Sequence, residues 1–168
     1  MTIPKLKDFK SAGDQTARDY AGTKCLHQLF AEQVVRTPDA IAVRFNDQEI
    51  SYAELDDRSN RLARYLVNRG VGREMLVGIC VERSIEMIVG VLGILKAGGA
   101  YVPLDPSYPR ERLQFMLADA QVSVLLTQVP LLERLPAHRA EVICLDRDWP
   151  EIQLSSGEAV ASEAPVND

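Results

Sequence analysis

From Leu76 to Leu145 short unbroken apolar runs alternate with helical patterns, and that alternation admits few folds. Leu76-Val-Gly-Ile-Cys-Val81 has the continuous apolar character of a strand covered on both faces. Ser84 then caps a segment from Ile85 to Leu95 that is apolar nearly all round, so the helix it forms must be deeply buried. Ala100-Tyr-Val-Pro-Leu-Asp105 reads as a second strand running into a proline-rich turn. Pro109 suits the first turn of a helix carrying Leu113, Met116, Leu117 and Ala120. Val122–Thr127 is a third strand, Leu131–Leu135 a short helix and Glu141–Leu145 a fourth strand. Strands and helices in this order imply parallel neighbours joined by right-handed crossovers. The expected fold is α/β: a partial doubly wound, mainly parallel sheet with flanking helices.

Upstream, Leu26, Leu29, Phe30 and Val34 recur at helical spacing and predict an amphipathic helix ending before Pro38. Ile41–Phe45, the turn residues Asn46-Asp47 and the extended run Glu49–Tyr52 predict a small amino-terminal hairpin. Ser51 and Glu54 have the spacing of a capping box. The helix they open should bury Leu55, Leu62 and Leu66, wet Arg58, Arg61 and Arg64, and stop at Gly70 in a left-handed conformation. Residues 1–24, with Pro4, Gly13, Gly22 and no apolar period, read as a linker or leader. The polar stretch 148–168, with Gly157 and Pro165, reads as a loop or flexible tail, which leaves 25–147 as the folded part.

The composition is that of an ordinary globular chain, 46% hydrophobic and 26% charged in 168 residues. A net charge of −5 with Lys and Arg scattered among the acids argues against a nucleic-acid partner. Ile85–Leu95 is too short to span a bilayer and the first residues lack a signal-peptide core, so the chain reads as cytoplasmic. Cys25, Cys80 and Cys144 are odd in number and far apart, without a Cys-x-x-Cys pair. They read as reduced thiols and not as metal ligands, Cys80 as a core residue.

The residues that invite a chemical reading have plainer ones. Lys96-Ala-Gly98-Gly99 closes a helix where a phosphate loop would open one, so Lys96 reads as a cation at the carbonyl end of its own helix. Gly90 and Gly93 read as points of close helix packing, and no Gly-x-Gly-x-x-Gly follows a strand. Glu82, Arg83 and Glu86 sit at a strand-to-helix junction, a ligand-binding place in α/β folds, and read there as solvated caps. His27 and His138 are lone histidines without a nucleophile or carboxylate at usable spacing. Asp105 and Asp146 each follow a strand and read as turn-stabilising aspartates.

Two segments are more specific. Ile50-Ser-Tyr-Ala-Glu-Leu55, continued by Asp57-Arg-Ser-Asn-Arg-Leu-Ala63, resembles the first core motif of nonribosomal peptide synthetase adenylation domains. Leu95-Lys-Ala-Gly-Gly-Ala-Tyr-Val-Pro-Leu-Asp105, continued by Pro106-Ser-Tyr-Pro-Arg-Glu-Arg-Leu113, resembles the second. Leu26–Phe30, Thr37–Val43 and Met116–Ala120 are similar to the family's flanking segments, and residues 1–24 to its condensation-to-adenylation linker. The resemblance implies ATP- and Mg²⁺-dependent activation of an amino acid as aminoacyl-AMP, then transfer to the phosphopantetheine thiol of a peptidyl carrier domain. It further implies that the phosphate-binding loop and the later motifs lie beyond this chain, which is then the amino-terminal part of such a domain, inactive alone. No catalytic, cofactor-binding or metal-binding residue is carried over. The implied partners are the remainder of the adenylation domain and the condensation and carrier domains. Two alternatives stay open: a docking module for an MbtH-like protein about Ala100–Leu117, where Arg110 stands at a position often held by alanine, and a piece of an acyl-CoA or aryl-acid ligase.

Overall fold

The computed structural model describes residues 24–160. The expected linker, Lys24 apart, and the end of the tail lie outside the described residues. Helix α1 (Leu26–Arg36) leads into an antiparallel hairpin of β1 (Ile41–Phe45) and β2 (Gln48–Ser51), turned at Asn46 with φ +52°. Helix α2 (Tyr52–Asn68) follows directly. Then come β3 (Leu76–Ile79), α3 (Ile85–Lys96), β4 (Ala100–Pro103), α4 (Arg110–Asp119) and β5 (Val124–Thr127). A 3-10 helix (Val129–Arg134) takes the place of the short helix predicted over Leu131–Leu135, followed by β6 (Glu141–Cys144) and the single turn α5 (Trp149–Ile152).

The four later strands form one parallel sheet in the order β4-β3-β5-β6. Side chains alternate along each strand, so the sheet builds two cores. Val77, Ile79, Val124, Leu126 and Ile143 face α2 and α3. Cys80 and Leu125 face the opposite way, with Leu113 and Leu117 of α4 and Leu135. The doubly wound, mainly parallel α/β architecture with its small hairpin is therefore present, and β5 is buried along its whole length.

Both edges of this sheet are blunted by the chain itself. Ala100 and Leu104 donate inward to Met75 and Ile79, so Tyr101 and Pro103 turn their backbone groups outward, and proline has no N–H to offer a further strand. On the other edge, the outward N–H of Cys144 donates to Asp148 Oδ2 at 2.8 Å, and its carbonyl accepts from Asp148 N at 2.8 Å.

The helix termini show why these segments stop. Gly70 (φ +83°) and Gly98 (φ +86°) occupy the left-handed position after α2 and α3. In each case the next two amides bond back in the Schellman pattern: Gly70 to Val67 and Val71 to Leu66, Gly98 to Leu95 and Gly99 to Ile94. At the start of α2, Ser51 Oγ accepts from Glu54 N at 3.2 Å, but the reciprocal half of the expected capping box is replaced. Glu54 instead pairs with Arg58 at 2.6 Å, one turn along the helix, where an ion pair needs no reversal of the side chain.

Two other expectations need correction, and the exposure of α1 is a finding of its own. Helix α1 forms as predicted, yet none of its residues is buried, and Leu26 and Leu29 are 62% and 48% exposed. Arg58, Arg61 and Arg64 are half-buried: the stretch expected as a loop from Asp148 onward packs over Arg61 and Arg64, which donate to its carbonyls, while Arg58 lines a cavity with Trp149. That stretch opens with α5, whose Ile152 is fully buried in the α2–α3 core.

Candidate functional site

The densest polar arrangement joins the two motif segments. Lys96, expected at the carbonyl end of α3, instead sends its side chain across to α2 and is only 8% exposed. Its Nζ donates to Asp56 Oδ1, Ser59 Oγ and Asn60 Oδ1, each at 2.7 Å, and lies 3.2 Å from the Asp56 carbonyl. The Phe30 ring of α1 stands 5.2 Å from the same nitrogen. The reason is local: α3 ends in a Schellman turn that already satisfies its last carbonyls, while α2 offers acceptors one helical turn apart. Burial pulls the Lys96 pKa down, and the hydrogen bond and charge of Asp56 oppose that pull. With a carboxylate and further acceptors around it, this is a satisfied buried ion pair and not a free amine poised for chemistry.

Sequence reasoning misses Asp56, Ser59 and Asn60 as a group. A signal exists: they recur at the helical spacing of neighbours, and the buried Ser59 and Asn60 are flanked by Leu55, Leu62 and Ala63. Gly93 makes the same seam possible, since a Cβ there would meet Leu62 Cδ2 at 2.7 Å and Cγ at 2.8 Å. Gly90 does likewise against Ile79 Cδ1 at 2.8 Å. Both glycines serve close packing, as predicted.

The carboxyl end of the sheet is where open α/β folds bind ligands, at the point where strand order reverses, here between β3 and β5. The chain laces that point with its own bonds. Thr127 Oγ1 donates to the Cys80 carbonyl at 2.8 Å, and Gln128 Oε1 accepts from Glu82 N at 2.9 Å. Asp146 accepts from Val129 N with both oxygens (3.1 and 3.0 Å) and from Arg147 N, tying the end of β6 to the start of the 3-10 helix. Asp105 accepts from Ser107 N at 2.8 Å, and hydrogen bonding from the Ser107 side chain, then from this amide, lowers its pKa. Both aspartates are thus turn-stabilising, as expected.

Around this end lie shallow cavities. One of about 410 Å³ is lined by Arg58, Glu86, Gln128, Asp146 and Trp149, and another of about 630 Å³ by Glu82, Arg83, Met87, Tyr101 and Asp105 among others. The structure therefore divides Glu82 and Arg83 from Glu86, which faces a different cavity. These residues do not fit a nucleoside triphosphate: the two linings set four carboxylates (Glu82, Glu86, Asp105 and Asp146) against two guanidiniums (Arg58 and Arg83), and among the described residues no glycine lines either cavity.

Cys80 and Cys144 are buried and Cys25 is exposed. Burial, aided by the charges of Asp105 and Glu82, pushes the Cys80 thiol up to about 11. His27 and His138 line different cavities, each with one ring nitrogen lacking a partner (Nε2 and Nδ1), and burial together with Lys96 lowers the pKa of His27. Among the described residues, no group of three or more His, Cys, Asp or Glu is placed to hold a metal ion, and no helix is long and apolar enough to cross a membrane.

Comparison with known proteins gives this geometry its context. The profile of the AMP-binding enzyme family matches residues 30–167. The chain is 55% identical over 135 residues to a linear gramicidin synthase of Brevibacillus parabrevis, covering 80% of this chain and 3% of that protein. It is 52% identical over 148 residues to tyrocidine synthase 3 of the same organism, covering 87% of this chain and 2% of that protein. Among solved structures, it matches the nonribosomal peptide synthetase FmoA3 with a TM-score of 0.76 at 34% identity, over 82% of this chain and 15% of that one. It also matches the N-terminal subdomain of Klebsiella oxytoca NpsA with a TM-score of 0.72 at 26% identity, over 85% of this chain and 35% of that one. The chain spans only a small share of each, but the family profile covers most of its own length. It belongs to the AMP-binding enzyme family.

Proposed function

We propose that this chain is the amino-terminal part of an amino-acid-activating adenylation domain of nonribosomal peptide synthesis, with 25–147 as its family-like body. The observation that carries the reading is the Lys96 seam: the two segments that resemble the family's first and second core motifs meet through one ammonium and its acceptors. Both motifs thus serve architecture, the one opening α2 and the other turning α3 into β4. The identity with the gramicidin and tyrocidine synthases favours the peptide-synthetase branch over an acyl-CoA or aryl-acid ligase. In this reading ATP and Mg²⁺ are held by other parts of the domain, and condensation and carrier domains are the neighbours. No residue of this chain is assigned a catalytic role, and an MbtH-like protein remains a candidate partner for the α4 side.

The test is a transplant. Residues 25–147 replace the matching segment of a gramicidin-synthase adenylation domain, and amino-acid-dependent exchange of pyrophosphate into ATP is measured. Retention within about tenfold of the parent supports the reading, a change of less than about 1.4 kcal/mol in transition-state stabilisation. A soluble, folded chimera without exchange would reject it. The chain alone is expected to give no exchange above a no-protein control.

A further inference from the structure

The segment after α5 is bound to α2 by side chains that reach for its backbone. Arg61 Nη1 donates to the carbonyls of Gln153 (2.6 Å) and Ser155 (2.9 Å), Asn60 Nδ2 to Gly157 (2.9 Å), and Arg64 Nη2 to Ala159 (3.4 Å). Residues 153–159 thereby form a strap along α2. Its fit is close at Gly157, where a Cβ would lie 2.1 Å from Asp57 Oδ1. Asn60 has two roles at once: its amide nitrogen holds the strap and Asp56 Oδ2, while its oxygen accepts from the buried Lys96. The orientation of that amide is thus set from both ends, because only the oxygen can face Lys96 and only the nitrogen can face Asp56 Oδ2 and the Gly157 carbonyl.

We propose that Lys96 is a positioning residue for this strap: through Asn60 it acts as a latch that holds 153–159 on α2, so that the second core motif governs where the chain after β6 runs. The geometry separates this from simple core filling. An apolar residue at Lys96 would fill the same volume, yet would leave the Asn60 oxygen buried without a donor and Asp56 without its ion pair, so that the Asp56 bond alone would hold the amide nitrogen toward Gly157. Glu158, exposed in the strap, provides a readout, since a protease that cleaves after glutamate needs the backbone lifted off α2 before it can cut there.

The experiment uses the full chain and three variants: Lys96→Met, Asn60→Asp and Arg61→Gln. Cleavage after Glu158 by glutamyl endopeptidase is followed by mass, alongside hydrogen exchange of the β3 and β5 peptides as a measure of the core. The expected result for Lys96→Met is cleavage at least about tenfold faster at Glu158 with β3 and β5 protection retained. Asn60→Asp keeps the acceptor for Lys96 but has no N–H for Gly157, so it should release the strap to a similar degree. Arg61→Gln, which removes the clamp without touching Lys96, marks the rate of a strap set free directly. If Lys96→Met fails to fold, Lys96→Gln, which keeps a polar side chain but not the ammonium, is read in its place, since Asn60→Asp reports on the Asn60–Gly157 bond alone. Wild-type cleavage at Glu158 in a folded Lys96→Met or Asn60→Asp chain overturns the latch. So does an increase spread evenly over strap and sheet, which would make Lys96 a core residue and nothing more.

Discussion

Helices α1 and α2 carry the same kind of apolar stripe, and the structure treats them differently. Helix α2 buries Leu55, Leu62, Ala63, Tyr65 and Leu66 in the core it shares with α3, whereas α1 buries no residue and leaves Leu26 and Leu29 largely in water. Periodicity states which face of a helix seeks cover; it does not state what supplies it. For α2 the cover is in the chain: Gly93 lets Leu62 approach the α3 backbone, and Lys96 pins the polar end of the stripe. For α1, Phe30 packs against the core, beside Tyr52 with ring centroids 5.9 Å apart and 5.2 Å from the Lys96 ammonium.

The largest effect should come from opening the α2–α3 seam. Leu62→Ala removes a fully buried side chain from a contact that a helix backbone closes on one side and cannot follow inward, so a loss of about 3 kcal/mol or more is expected in chemical denaturation. Gly93→Val, which drives a branched side chain into Leu62, should cost a similar amount, about 2–3 kcal/mol, from the opposite direction. If either variant melts like the parent, the seam is not what stabilises α2.

Next in size is the response to pH, which contrasts the thiols of the sheet with the one before α1. Cys80 has a folded pKa of about 11 against an ordinary 9.0, so the folded state keeps a proton that the unfolded chain releases. Stability is therefore fully present below pH 9 and falls as pH rises from there through 11, by about 2–3 kcal/mol from this group. Denaturation midpoints measured from pH 8 to 11 should decline accordingly, and Cys80→Ser, though less stable throughout, should flatten the decline. Alkylation at pH 8 should mark exposed Cys25 and spare Cys80 and Cys144 until the chain is denatured. Equal labelling of all three thiols would contradict the two-sided cover of the sheet.

The same contrast explains how much is legible in the sequence. The strand and helix order from β3 to β6 follows from apolar runs and breakers, because buried parallel strands advertise themselves by composition. So do the helix stops at Gly70 and Gly98, since only glycine takes the left-handed turn cheaply. Lys96 misleads because its position in the last turn speaks for a carbonyl cap, and whether a flexible side chain turns inward depends on what a distant helix presents. The strap escapes for a related reason. Its polar residues look like loop, and the bonds that hold it run from Arg61, Asn60 and Arg64 to backbone carbonyls, which carry no sequence signature. At the candidate site, the plain readings of Asp105 and Asp146 agree with the structure, because a carboxylate bonding nearby amides is a local matter.

Capping comes third in size. Ser51→Ala removes the acceptor for Glu54 N at the start of α2 and should cost about 1 kcal/mol, most of what that terminus can lose. Since Glu54 pairs with Arg58 and not with the cap backbone, Glu54→Gln should cost distinctly less, about 0.5 kcal/mol or below. A larger loss for Glu54 than for Ser51 would restore the reciprocal box in solution.

The smallest expected effect bears most directly on the two helices. Leu29 lies on the predicted stripe of α1 but is 48% exposed, so truncation to alanine removes little area from cover and slightly improves helix propensity. Leu29→Ala should therefore shift stability by no more than about 0.5 kcal/mol, within the range of ordinary surface substitutions. Phe30→Ala is the internal control: same helix, next residue, half-buried against Tyr52 and the Lys96 ammonium, and expected to cost about 1–2 kcal/mol. The ratio matters more than either value. If Leu29 proves as costly as Phe30, α1 is covered in solution by contacts its own stripe selects, and the difference between the two helices is one of partner and not of burial. If Leu29 is silent while Phe30 is not, α1 is held at one point only, and its apolar periodicity reflects a face that this part of the chain leaves open.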